Sequence, residues 1–114
     1  MMSGINLEFE FKLLFDYEQD RVTERGENEI RNKAAFLKEN PTATLALAGH
    51  SDIGEREENP AVSLSERRAV NVKRSFERNH NIDPGRITST FHGSTQPLEP
   101  GYASQRVEGV ITTH

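Results

Sequence analysis

The chain has no cysteine, so disulfides are excluded and its compartment cannot be read from thiol chemistry. It has no basic excess either: 14 Lys and Arg against 18 Asp and Glu give a net charge of −4, which argues against nucleic acid as a partner. No apolar run approaches the roughly 20 residues needed for a membrane-spanning helix, so no membrane insertion by this chain is expected. The opening Met1-Met2-Ser3-Gly4 is not a signal peptide, and a leader or anchor is expected to lie outside this sequence. Hydrophobic residues are scarce at 33%, with 28% charged, so a core must come from clean patterning.

Motifs that would announce an enzyme are missing as well. Gly49-His50-Ser51-Asp52-Ile53 fails the G-x-S-x-G elbow at its last position. His50, Ser51 and Asp52 are chain neighbours whose side chains alternate along an extended segment, so they do not converge as a triad. His50, His80, His92 and His114 show neither H-x-x-x-H nor H-E-x-x-H spacing, which argues against zinc. There is no phosphate-cradling glycine loop and no aromatic platform on a basic face. Neither catalysis nor a cofactor or metal is expected. His50 and His92 both end expected strands and are placed to meet, most simply as structural residues.

What is present is a strong periodic pattern. With 114 residues the chain is expected to be one domain, spanning 1–114, that buries about two-thirds of its unfolded surface. Asn6 to Phe15 alternates, with Leu7, Phe9, Phe11 and Leu13 on one side, which predicts a half-buried strand. Thr23 is placed to cap a helix over Glu24–Lys38, whose stripe is Val22, Gly26, Ile30, Ala34 and Leu37. Gly26 would let that helix lie close to the sheet. Thr42–His50 is short and apolar, predicting a strand covered on both faces. Twelve residues, Ser51–Val62, follow, a length usually reserved for functional or disordered loops. Ser63-Leu64-Ser65-Glu66 is a capping box opening a second helix that runs to about Asn79. Arg86–His92, with Ile87 and Phe91 as its main apolar residues, and Arg106–Thr113 complete the strands.

The expected fold is therefore α/β, an α+β sandwich. Its order is strand-helix-strand-helix-strand-strand, with a mixed four-stranded sheet and two helices on one face. Helical crossovers make the first three strands parallel, and the fourth returns antiparallel. The loops after Phe15, Ser51 and His92 then share one edge, where ligands of such sheets bind. On the second helix at 100° per residue, Arg67, Arg74 and Arg78 face solvent, whereas Arg68 falls at about 40° from Leu64, on the shoulder of the buried face. Two readings stay open for it. One is snorkelling, with the stem on apolar neighbours and the head in water; the other is a fixed two-pronged grip on a carboxylate. Asp52 is likewise either a loop residue bonding local backbone or an ammonium acceptor at a rigid strand end.

These residues, taken in order, resemble the OmpA-like peptidoglycan-binding family over nearly the whole chain. Leu14-Phe15-Asp16-Tyr17 with Val22-Thr23-Glu24-Arg25-Gly26 is similar to its opening F-D and L-T-x-x-G segments, and Ala48-Gly49-His50-Ser51-Asp52 to its G-H-T-D block. Asn59 with Leu64-Ser65-Glu66-Arg67-Arg68-Ala69-Val70-Asn71-Val72 resembles N-x-x-L-S-x-R-R-A-x-x-V. Gly93, Pro97 and Ser104-Gln105-Arg106-Val107-Glu108 resemble the closing segment.

The resemblance implies a periplasmic domain of a diderm cell envelope that binds peptidoglycan without hydrolysing it, anchoring a larger protein to the cell wall. It implies that Asp52 and Arg68 grip diaminopimelate of the stem peptide, carboxylate to ammonium and guanidinium to carboxylate. Asp16, Ser51, Leu64 and Arg106 complete the expected site. Three departures stand out: Gly54 follows Asp52 by two residues where the family has three, Asn59 precedes Leu64 by five rather than three, and Ser104-Gln105 replaces an Asn-Arg pair. They motivate an alternative, in which the fold serves as a protein–protein module contacting other envelope proteins in a stator or secretion assembly.

Overall fold

In the strand Glu8–Leu14 (β1), alternation marks the buried residues only in its second half. The computed structural model describes residues 6–55 and 63–114. Phe11, Leu13 and the following Phe15 enter the core, while Leu7 and Phe9 share their side of the strand but extend past it and stay largely exposed. Phe9 instead meets the ring of Phe36 edge-on, with centroids 5.3 Å apart.

The remaining elements follow the expected order. They are the helix Glu24–Glu39 (α1), the strand Thr44–Gly49 (β2), the helix Leu64–Arg74 (α2), the strand Ile87–Phe91 (β3) and the strand Arg106–Thr112 (β4). The Thr23 side chain accepts from the Gly26 N–H and opens α1; that of Ser63 accepts from Glu66 and opens α2. Past Arg74 the helix widens into one π turn, Ser75–Asn79, which the sequence pattern had not distinguished from α-helix. Arg86 closes α1 from a distance, donating to the carbonyl oxygens of Leu37, Asn40 and Ala43 at 2.8–3.0 Å.

The sheet order is β1-β4-β2-β3, with β4 antiparallel to both neighbours and β2 parallel to β3. The first three strands are thus parallel in direction and the fourth returns between them. Helix residues Ile30, Ala34, Leu37, Val72 and Phe76 pack with Leu45, Leu47, Ile87, Val107 and Ile111 into one core on one face.

One expectation about the strands needs correction. Thr44 and Ala46 are exposed, so β2 is covered on one face only, because no helix lies across the other. Phe91 is 52% exposed, at the end of an edge strand beyond the helices. Glycine is required at two places. A Cβ on Gly49 would run into the Ser65 carbonyl of α2, and one on Gly109 into the Phe11 ring. Gly26, by contrast, presses on Val22 and Thr23 of its own helix entry rather than on the sheet.

Candidate functional site

The ends of β1 and β2 meet the start of β4, and the end of β3 meets that of β2, through backbone bonds. Phe15 N–H donates to Gln105 O (2.7 Å), His50 N–H to Arg106 O (2.8 Å), His92 N–H to Gly49 O (3.0 Å) and Ser51 N–H to Gly93 O (2.8 Å). The first turn of α2 sits on the same edge, where Ser65 Oγ accepts from the Gly93 N–H at 2.9 Å. The topology therefore brings the loops after Phe15, Ser51 and His92 together, as the strand directions predicted.

Arg68 stands at the centre of this edge, and its surroundings overturn the snorkelling reading: the side chain is fully buried, guanidinium included. Nε donates to Gln19 O (2.9 Å), Nη1 to His50 O (3.0 Å) and Glu55 Oε1 (2.8 Å), and Nη2 to Asp16 O (3.2 Å) and Glu55 Oε2 (2.5 Å). A guanidinium has five N–H donors, and these contacts use all five. Its plane also lies 5.2 Å from the centroid of the Phe15 ring. One residue thus ties the exits of β1 and β2 to α2.

Glu55, an acidic residue of the loop after β2 that the sequence reading did not single out, is the buried partner. Besides the two Arg68 bonds, its carboxylate accepts from the N–H groups of Asp52 (2.8 Å) and Glu18 (2.7 Å). Burial alone would push this carboxyl up. The bonds from Arg68, Asp52 and Glu18 outweigh it and hold Glu55 below the ordinary carboxylate range. The loop turns back on itself through Glu55 N–H to Asp52 O, at 3.0 Å. Asn59 lies outside the described residues.

Asp52 itself is half-buried, and no hydrogen bond or ion pair reaches its carboxylate among the described residues. Gly101 lies beside it: a Cβ there would stand 3.3 Å from Asp52 Oδ2. Exposed Tyr17 donates to Gly54 O at 2.7 Å on the same rim. Partial desolvation, and then the negative charges of Glu18, Glu55 and Asp52, push its phenol up. Among the described residues, the outer lip here presents the unpartnered Asp52 carboxylate beside negatively charged neighbours.

The other expected site residues divide by role. Asp16 contributes its backbone carbonyl to Arg68, while its side chain is exposed. Ser51 and Leu64 are both buried, at the β2 exit and the start of α2. Arg106 is buried on the sheet's opposite face, donating to Glu108 (2.6 Å) and Gln96 O (3.1 Å). It joins a separate cluster with His50 and His92, whose rings stack at 5.1 Å. His50 is only 1% exposed, and neither ring nitrogen has a hydrogen-bond partner among the described residues. Burial and then Arg106 lower its pKa from 6.5 to about 4, so the ring is neutral. Among the described residues no group of three or more His, Asp or Glu is arranged to hold a metal ion. Nor is any described helix long and apolar enough to cross a membrane.

Comparison with known proteins agrees with this architecture. The chain is 31% identical over 85 residues to outer membrane porin F of Pseudomonas aeruginosa, an alignment that covers 74% of this chain but only 24% of the porin. Among solved structures, the OmpA-like domain of FopA1 from Francisella tularensis superposes with a TM-score of 0.79, at 20% identity, over 99% of this chain and 77% of that one. The peptidoglycan-associated lipoprotein of Burkholderia pseudomallei superposes with a TM-score of 0.74, at 20% identity, over 90% of this chain and 89% of that one. The OmpA family model matches residues 14–108, from the last residue of β1 through Glu108 in β4, and the chain belongs to the OmpA family.

Proposed function

We propose that this domain associates non-covalently with peptidoglycan in a bacterial cell envelope, holding a larger protein to the cell wall. The stem peptide approaches the strand-end loops, and Asp52 accepts the side-chain ammonium of its diaminopimelate. The observation that carries this reading is the Asp52 carboxylate: half-buried, unpartnered among the described residues, and fixed at a strand end by the Arg68–Glu55 pair behind it. A carboxylate held without its own counter-ion on a negative rim is suited to an ammonium group. Family membership and the likeness to a peptidoglycan-associated lipoprotein point the same way. We read the role as binding rather than catalysis: His50 is buried, neither ring nitrogen has a hydrogen-bond partner among the described residues, and its lowered pKa makes it a weak base.

The test is co-sedimentation with diaminopimelate-type sacculi. Wild type is expected to pellet, and Asp52→Asn and Asp52→Ala to lose about tenfold or more in bound fraction while remaining folded by circular dichroism. Equal pelleting of all three would sink the role of Asp52. The two-pronged version, with Arg68 taking the ligand's carboxylate, requires Glu55 to leave the guanidinium. The complete pairing of Arg68 is also the observation that favours the second reading, a module for envelope proteins. Wild type that fails to pellet yet captures a defined envelope protein would establish it.

A further inference from the structure

The Arg68 guanidinium and the Asp52 carboxylate are not equally available. The first is inside, with every donor used; the second is at the surface with none of its acceptors used among the described residues. Building on the peptidoglycan reading, we propose that Glu55 is the resident occupant of the carboxylate slot on Arg68, so that the site selects its ligand by the ammonium alone. It takes an amine-bearing stem-peptide residue whether the neighbouring group is a carboxylate, a carboxamide or absent.

Three observations carry this. First, the Glu55 carboxylate is saturated: two bonds from Arg68 and one N–H each from Asp52 and Glu18 leave it fully buried. A ligand carboxylate that displaced it would strand an ionised group that had four partners. Second, Glu55 is tethered. It lies three residues from Asp52, in a turn closed by Glu55 N–H to Asp52 O at 3.0 Å. A group held this way acts at an effective concentration in the millimolar range or above, which a dilute external carboxylate does not match. Third, the described groups around Asp52 carry one sign. Asp52 has Gly101 beside it, and Tyr17 lies under the influence of Glu18, Glu55 and Asp52. No described contact offers an incoming carboxylate an accessible cationic donor there: Arg68 lies behind Glu55, and Arg106, although its Nη1 has no partner among the described residues, is buried on the opposite face of the sheet.

The consequence is a specificity. A site with both prongs open rejects the amidated and lysine-type peptides, since its guanidinium would be left unpaired. A site with the anion slot already filled has nothing to leave unpaired. Titration calorimetry with three purified muropeptides tests this, bearing free diaminopimelate, amidated diaminopimelate and lysine. Wild type is expected to bind all three within about threefold of one another. Glu55→Ala, with the slot vacated, is expected to favour the free acid by about tenfold or more. Tenfold preference for the free acid already in wild type would overturn the inference and leave the peptidoglycan reading intact. Binding of none of the three would overturn both.

If Glu55→Ala fails to fold, the wild-type protein supplies a second measurement. The amide protons of Glu18 and Asp52 report on Glu55 directly, because its carboxylate accepts from both. Under saturation with the free-acid muropeptide their exchange is expected to stay as slow as in the free protein. Acceleration by tenfold or more would show Glu55 displaced and the proposal wrong.

Discussion

Arg68 and Glu55 form a buried ion pair with every hydrogen-bonding position used, and the stability of such a pair lies in its completeness. Arg68→Met leaves the Glu55 carboxylate in the interior without its counter-ion, and is expected to cost about 3–5 kcal/mol in urea denaturation. Arg68→Lys is expected to cost nearly as much, because one ammonium cannot reach three carbonyls and both carboxylate oxygens. Arg68→Met combined with Glu55→Gln is expected to recover a substantial part of the loss, because the stranded charge is gone. A loss under 1 kcal/mol for Arg68→Met would mean that water reaches the pair. The helical wheel separated Arg68 from its solvent-facing neighbours, but it could not find what covers it. The covering groups come from Asp16, Gln19, His50 and Glu55, and a wheel contains only its own helix. Glu55 was legible only as an acid in an acidic loop. The signal that could have marked it is the early glycine: with Gly54 one position forward, Glu55 stands where the family places its glycine.

Among the elements, legibility followed how local the cause was. Helix α1 begins on its expected cap, and its buried residues are the expected Gly26, Ile30, Ala34 and Leu37. The capping box at Ser63 also forms its bond, at 3.2 Å, and Ser63→Ala is expected to lower stability by about 1 kcal/mol in chemical denaturation. The strands were read less well. Alternation identifies a face but does not say whether a second layer covers the other, so β2 was expected to be covered twice. The meeting of α2 with β2 is closer than any sequence pattern indicated. Gly49→Ala drives a methyl group into the Ser65 carbonyl, which is backbone and cannot rotate away. It is expected to destabilise by about 2 kcal/mol or more, although alanine ordinarily suits a strand better than glycine. An unchanged urea midpoint would show that α2 can shift outward freely.

For the molecule as a whole, acid should act in two stages. His50 is neutral in the fold, with its pKa lowered to about 4, and ordinary in the unfolded chain at about 6.5. Between those values the unfolded state binds more protons. Stability should therefore decline as pH falls from about 6.5 to 4, by on the order of 2–3 kcal/mol. Glu55 and Glu108 both titrate below their usual range: bonds from Arg68 and two backbone N–H groups outweigh burial at Glu55, and Arg106 does so at Glu108. Their stabilisation is present above the ordinary carboxylate pKa and is lost as pH falls through the lowered folded values. Urea midpoints at pH 7, 5 and 3.5 should fall throughout. His50→Phe should flatten the upper stage alone, and an equally steep upper stage in that variant would assign it elsewhere.

The placement of β4 between β1 and β2 also sets when the domain can form during synthesis. The strand that joins the two halves of the sheet is the last one described, and the bond from Leu7 N–H to Thr113 Oγ1 spans 106 residues. A nascent chain that has not yet released Arg106–Thr112 holds β1 and β2 with no strand between them, and the carbonyl of Arg106 is missing from the edge that positions His50. Such a chain should stay extended and threadable until its final strand emerges, then fold in one step. A chain ending at Gln105 should accordingly lack the cooperative urea transition expected of the chain through His114.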